Sequence, residues 1–520
     1  MAKKIKPQKS LEDTLFDACN KLRGTVEPSE YKHIVLGLVF LKYAGDRFEK
    51  KRKELIASGE EWSVDMPAAY GSENIFYLPA EARWNYLITN AKQSDIALKV
   101  DKAMELIEEN NPKTLSGALP VGTYTRLGLD SNKLGSLINE IDSNIDTLKH
   151  PDLDLFGRVY EYFLGKFAIS EGQGKGEFYT PKCIVNLIAE LIEPYQGTIY
   201  DPCCGSGGMF VQCMKFIEAH KGKKERLTIK GQEATPTTYK LAKMNLAIRG
   251  ISADLGQGPA DTFHNDQHKT LKADYIMANP PFNQKDWRTD DQLTTDPRWY
   301  GYDVPPVSNA NYGWILNMYS KLSSNGVAGF LLANGALNGG GKEYEIRKQL
   351  IDNKIIEAII VLPRDLFYST DISVTLWILN NNKKTRILNR GEKCCQLRNR
   401  EDEILFMDLR TKGEEFEKKY IALTDTELTE VTSLYHRWQQ EEIENIPEYC
   451  YVAKLDEIKE KGYTLVPSSY IEFVDRDQDI DFNKEMLKYK KEFSDLVRQE
   501  KKAQDDLLTA FKELGYEIKL

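Results

Sequence analysis

Between residues 10 and 150, apolar positions recur at helical spacing. Leu11, Leu15, Ala18 and Leu22 share one face, preceded by Ser10 and Asp13 in a weak capping-box pattern. Ser29 precedes a second stripe through His33, Leu36, Phe40 and Tyr43, which predicts a buried helix with His33 on its face rather than at a metal. Residues 151–167 are amphipathic through Leu155, Val159, Tyr162, Phe163 and Phe167. A polar, glycine-rich break ends in Thr180-Pro181, which predicts a helix capped by Thr180 and running on through Ile184, Leu187, Ile188 and Leu191.

The period then changes. Short apolar runs predict strands at 198–201, 227–232, 274–278, 327–333, 355–362 and 374–379, with helices through Phe210, Met214 and Ile217 and from Thr235 to about Arg249. Such alternation predicts an α/β fold, a mostly parallel sheet covered by helices on both faces. Ligands in these sheets sit beyond the carboxyl ends of the strands. Near the end, Met486, Tyr489, Phe493, Leu496, Ala503, Leu507 and Phe511 fit a 3-4 spacing broken at Glu500. That predicts an amphipathic helix, packed on its own domain or paired with a partner helix.

Length sharpens this division, because 520 residues exceed one compact core and imply two or three domains. The longest apolar run, 34–41, falls short of the roughly 20 residues of a membrane helix. No apolar stretch follows the basic start, so no secretory signal is read. Eight cysteines without a CxxC argue against a disulfide framework or zinc cage and for a cytoplasmic protein with free thiols. The net charge of −9 is no polyanion clamp by itself, although a local basic face or a basic partner could still supply phosphate contacts.

Candidate chemistry falls at the strand ends. In DPCCGSGGMF, Asp201 ends a strand and Gly205, Gly207 and Gly208 allow a tight turn and close backbone approach to a ligand. No GxxxxGK[ST] occurs, so a nucleoside triphosphatase is not indicated. Glu233, at the second strand tip, can accept from both ribose hydroxyls of a nucleoside, or be a surface acid. Asp261 can bond an adenine amino group, or cap the next turn. Asn279-Pro280-Pro281-Phe282 follows a buried strand, where two prolines hold the backbone extended and rigid.

These motifs, in this order, resemble the N6-adenine DNA methyltransferases that use S-adenosylmethionine. The resemblance implies that the loop around Asp201, Cys203, Gly205, Ser206, Gly207 and Gly208 takes the amino-acid part of the cofactor, Glu233 its ribose and Asp261 its adenine. Glu177, Phe178, Tyr179, Thr180, Pro181 and Lys182 correspond to an additional cofactor segment, and Asn279 to Phe282 to the catalytic tetrapeptide. The chemistry needs no metal. An adenine amino nitrogen is a poor nucleophile, and the Asn279 side-chain oxygen and Pro280 carbonyl can accept its two hydrogens and stabilise developing positive charge. Phe282 can stack on a flipped base. Cys203 and Cys204 read as small residues of a tight loop.

Residues 10–49, 156–168, 362–383 and 463–472 extend the resemblance colinearly to the modification subunit of type I restriction–modification systems. It implies a Rossmann-like S-adenosylmethionine-dependent methyltransferase sheet at 149–475, an N-terminal all-helical domain at 1–148, and a C-terminal helical tail at 476–520 that contacts a specificity subunit. The implied partners are double-stranded DNA, one specificity subunit per two modification subunits, and a restriction motor subunit. Lys285, Arg288 and Arg298, interleaved with Trp287, Trp299 and Tyr300, suggest that 283–312 folds over DNA or the flipped base; the alternative is a packed surface loop. Rival readings are a protein glutamine N5-methyltransferase, a silent assembly subunit, and a cytosine-N4 enzyme, in which Ser commonly replaces the Asn.

Overall fold

A computed structural model describes residues 28–71, 73–144, 161–166, 180–220, 222, 226–367, 372–390, 393–416, 420–474 and 482–513. The strands are β1 (Gly197–Asp201), β2 (Leu227–Gly231), β3 (Ala253–Asp254), β4 (Ala273–Ala278), β5 (Leu322–Ala333), β6 (Ile356–Val361), β7 (Val374–Asn380), β8 (Arg386–Arg390), β9 (Lys393–Leu397), β10 (Glu403–Asp408), β11 (Glu414–Phe416), β12 (Tyr420–Ala422) and β13 (Cys450–Lys454). Nine of them form one sheet in the order β3-β2-β1-β4-β5-β7-β6-β10-β13. β8 pairs with β9 and β11 with β12 in two small antiparallel ribbons.

The first five strands are parallel neighbours, as the βα alternation predicts. β7 slots antiparallel between β5 and β6, and β13 runs antiparallel at the edge. β6 and β7 are buried at every residue, which is why they read as continuous apolar runs rather than alternating ones; β10 is equally buried, although Glu403 and Asp408 bound its apolar run. β5 begins at Leu322, ahead of the predicted 327, because Leu322 already pairs with Ala273; Ser323–Gly326 then bulges out before Val327 pairs with Tyr275.

The longer helices are α1 (Pro28–Ala57), α2 (Ile96–Asn110), α3 (Ser131–Asn144), α4 (Lys182–Ile192), α5 (Gly208–Ala219), α6 (Pro236–Ile248), α7 (Asn311–Ser320), α8 (Lys342–Asp352), α9 (Asp425–Gln440) and α10 (Phe482–Glu513). α4, α5 and α9 cover one face of the sheet; α7 and α8 cover the other. β5 alternates between the two cores, Leu331 on the first and Phe330 and Leu332 on the second, as the strand period demands. Gly329 lets α4 lie close against this strand: a Cβ there would stand 2.8 Å from Ile188 Cγ2.

α1, α2 and α3 build the expected helical bundle, whose core continues onto Leu241, Met244 and Ile248 of α6. Tyr43 donates to the Ile248 carbonyl at 3.0 Å. Glu161 accepts from Lys215 of α5 and from Arg249, each at 3.0 Å, tying the segment that joins bundle and sheet. Residues 1–471 form one compact unit and 472–520 a second. In the second unit, no described residue of α10 is buried. No described helix is long and apolar enough to cross a membrane.

Two helix starts differ from expectation. α1 begins at Pro28, so Ser29 lies inside its first turn. α4 begins at Lys182, and Pro181 is its cap at φ −56° and ψ 141°; Thr180 therefore stands one residue ahead of the cap, and its hydroxyl accepts from Asn279 instead. The stripe from Leu11 to Leu22 and the residues 151–160 lie outside the described residues.

Candidate active site

Strand order reverses between β1 and β4, which opens a crevice beyond their carboxyl ends. Asp201 closes β1 and is 1% exposed. Its Oδ1 accepts from the Cys203 N–H at 2.9 Å, while its carbonyl accepts from Gln232 N–H at 3.0 Å and Cys204 N–H reaches the Gln232 carbonyl at 2.9 Å. The loop is thereby sewn to the tip of β2. Gly205 at φ +55° and Gly207 at φ +79° turn the chain in the left-handed region, where a side chain would be strained, and α5 starts at Gly208. Asn245 of α6 donates to the Ser206 carbonyl at 2.7 Å and supports the turn from behind.

Burial pushes the Asp201 carboxyl up to about 7, with the Glu233 charge adding to the rise and the Cys203 N–H opposing it. The thiols of Cys203 and Cys204 are raised well above their ordinary value by burial and by these two acids. They stay protonated, which fits small loop residues rather than nucleophiles.

Glu233 bridges two elements: Oε2 accepts from Gly205 N–H at 3.0 Å and Oε1 from Thr235 N–H at 2.8 Å. Asp261 Oδ1 accepts from the N–H groups of Phe263 at 2.9 Å and His264 at 2.8 Å, so this acid does cap the next turn. Its side chain is still half-exposed and faces outward. Gln232, fully buried, donates to the carbonyls of Ala260 at 3.0 Å and Asn265 at 2.9 Å and accepts from Gln267 N–H at 3.1 Å. It brings the Asp261 loop beside Glu233, whose carbonyl accepts from Ala260 N–H at 2.9 Å. Gln232 and Asn245 are positioning residues that the sequence reading missed. The available signal was a polar side chain at a strand tip and one within an apolar helix.

Asn279 lies just past β4 and is 9% exposed. Its Nδ2 donates to Thr180 Oγ1 at 2.9 Å. Its Oδ1 is buried with no hydrogen-bond partner among the described residues, a state that costs about 1–3 kcal/mol unless something fills it. Pro280 is buried, Pro281 and Phe282 are half-buried, and Phe282 meets Phe367 edge-on with centroids 6.0 Å apart. Asn283 follows at φ +50°; its N–H donates to Asn311 Oδ1 at 3.1 Å, and Asn311 Nδ2 returns to Asn283 Oδ1 at 2.9 Å. This reciprocal pair clamps the exit of the tetrapeptide to the start of α7. Pro181 is buried and Lys182 exposed, while Glu177, Phe178 and Tyr179 lie outside the described residues.

The loop 283–312 corrects one expectation. Arg288 is buried and donates to the carbonyls of Thr289, Gln292 and Pro305. Arg298 is buried against Asp296 and donates to the carbonyls of Thr262 at 2.8 Å and Phe263 at 2.6 Å. Trp287 and Trp299 are buried with them, leaving Lys285 and Tyr300 exposed. These arginines staple a packed loop and have no free face for phosphate.

The sequence profile of the N-6 DNA Methylase family matches residues 151–479, and that of the HsdM N-terminal domain matches 11–141. A type I restriction enzyme methylase subunit of Methanocaldococcus jannaschii is 34% identical over 97% of this chain and 91% of its own length. The chain belongs to the type I restriction enzyme methylase subunits. Another such subunit, from Haemophilus influenzae, is 39% identical over 77% of this chain and 91% of its own. The crystal structure of a type I restriction–modification methyltransferase subunit from Streptococcus thermophilus shares the fold, with a TM-score of 0.71, 23% identity, and coverage of 89% of this chain and 99% of that one. This methylase subunit is an adenine-specific N6 DNA methyltransferase, of a family that depends on S-adenosylmethionine. The glutamine N5 alternative is not favoured, because the match takes in the helical N-terminal domain as well as the catalytic one.

Proposed function

We propose that this subunit methylates adenine N6 through Asn279 to Phe282, with S-adenosylmethionine held by the crevice at β1 and β4. The observation that carries the reading is the buried Asn279 Oδ1, which has no partner among the described residues and is an acceptor in search of a donor. The left-handed turns at Gly205 and Gly207, the buried acid Asp201, and the acids Glu233 and Asp261 on successive strand tips suit a ligand with a cationic amino-acid end and a nucleoside end. Asp201, Cys203, Gly205, Ser206, Gly207 and Gly208 would hold the former; Glu233 would hold the ribose and Asp261 the adenine, with help from Glu177, Phe178, Tyr179, Thr180, Pro181 and Lys182. When bound, the cofactor supplies an electrophilic methyl group.

The chain's own residues then do the following. Asn279 Oδ1 and the Pro280 carbonyl accept the two hydrogens of the target amino group and orient its nitrogen. They stabilise positive charge as it develops, an electrostatic contribution aimed at the transition state. The two prolines fix the acceptors in advance, which removes much of the entropy cost of alignment. Phe282 stacks on the extruded base and offsets part of the few kcal/mol needed to flip it.

In this reading, residues 1–148 form a helical domain, 149–475 the catalytic domain, and 476–520 a tail for the specificity subunit. Double-stranded DNA is the substrate. One specificity subunit chooses the site for two copies of this chain, a restriction motor subunit joins them, and the complex works in the cytoplasm. The test is modified-base sequencing of the host genome beside a host carrying Asn279→Ala. The expected result is loss of N6-methyladenine from one split recognition motif. An unchanged methylation map, with the wild-type protein expressed, would overturn the assignment.

A further inference from the structure

An asparagine amide can sit in either of two flips, which exchange its donor and acceptor ends. The flip matters at Asn279. With Oδ1 toward the substrate, the side chain accepts from an amino group. Reversed, it would set Nδ2 against that group, donor to donor. A target amino group only donates, so it selects the first flip, and the Nδ2 end of the amide then needs an acceptor of its own that holds the side chain still.

We infer that Thr180 supplies that acceptor: its hydroxyl oxygen accepts from Asn279 Nδ2 and so holds the amide in place with Oδ1 open to the substrate. Two observations meet here. The Asn279 Nδ2 to Thr180 Oγ1 distance is 2.9 Å, a well-formed bond between residues 99 apart in sequence. At the other end of the same amide, Oδ1 is buried and has no partner among the described residues. The amide is thus satisfied on its donor side and open on its acceptor side. Thr180 is itself set rigidly, because Pro181 follows it as the cap of α4. Thr180 stands one residue ahead of that cap, so its hydroxyl does not serve the helix end. Thr180 acts through Asn279 and is a positioning residue, a role separate from any contact it makes with cofactor.

The inference rests on the proposed role of Asn279, and one set of variants separates the two. The complex is purified from its host through a tag on this chain. It is assayed without ATP on genomic DNA from the Asn279→Ala host, which carries the unmethylated sites. Thr180→Val keeps the shape and removes the acceptor; Thr180→Ser keeps the acceptor. The expected result for Thr180→Val is a fall in kcat of about 100-fold, larger than any rise in KM for S-adenosylmethionine that its lost contact with the cofactor brings. Thr180→Ser should retain most of the rate. Should the valine variant fail to fold, as read by its thermal midpoint, Thr180→Ala makes the same comparison. Wild-type kcat in Thr180→Val, an equal loss in Thr180→Ser, or a loss carried wholly by cofactor KM would each overturn the inference. An active Asn279→Ala complex would overturn the catalytic reading beneath it instead.

Discussion

An ionised carboxylate at Asp201 has little water around it, and its pKa stands at about 7 against an ordinary 3.8. A folded-state pKa above the unfolded one means that this group's contribution to stability is complete below about pH 4 and is lost as pH rises through about 7. A difference of that size is on the order of 4 kcal/mol. Asp201→Asn should therefore lose less stability than wild type between pH 5 and 8, measured as the urea midpoint; parallel curves would refute the argument. A cation brought beside Asp201 reverses the balance and draws off its proton. Affinity of the purified chain for S-adenosylmethionine should tighten up to about pH 7 in wild type and stay flat in Asp201→Asn. Asp201, Glu233 and Asn279 were legible in the sequence because each marks a strand end, a position that periodicity locates. The roles of Thr180, Gln232 and Asn245 were not, because their partners lie 99, 28 and 39 residues away, and local pattern carries no such information.

Arginines interleaved with tryptophans look alike in sequence whether they face DNA or the core, and the loop after Phe282 chose the core. The Arg298 guanidinium lies 5.1 Å from the Trp299 ring centroid and 5.7 Å from Phe263, and its donors are spent on Asp296 and two carbonyls. Breaking a buried pair by removing one partner typically costs about 3–5 kcal/mol. Arg298→Ala should lower the thermal midpoint by several degrees and leave the salt slope of DNA binding unchanged. A flatter slope with intact stability would restore the phosphate-contact reading. The elements that periodicity found were the apolar strands β1, β2 and β4 to β7. β10 and β13 escaped it, since their apolar runs are short and end in Asp408 and Lys454. The antiparallel insertion of β7 was equally invisible, because a fully buried strand has the same composition in either direction.

At the scale of the molecule, the two units differ in how they use apolar residues. The described residues of the first unit bury most of theirs in three cores. α10 buries none: Phe493 is 69% exposed and Leu496 63%, with Met486, Tyr489 and Leu507 also exposed. Its 32 residues make a rod about 48 Å long. A charged helix with an apolar stripe of this extent gains most of its stability from packing that stripe against another surface. If that surface belongs to the specificity subunit, a charge on the stripe should act on assembly and leave the catalytic unit alone. Phe493→Glu with Leu496→Glu is the direct test, using a tag on this chain in the native host. The variant should bind S-adenosylmethionine with wild-type affinity, recover little specificity subunit on purification, and leave the host genome unmethylated. Since a buried phenylalanine or leucine is worth about 1.5–3 kcal/mol, losing two should weaken assembly by at least 100-fold. Full recovery of the partner would mean that the stripe serves another contact. Loss of cofactor affinity would mean that the tail supports the catalytic unit itself.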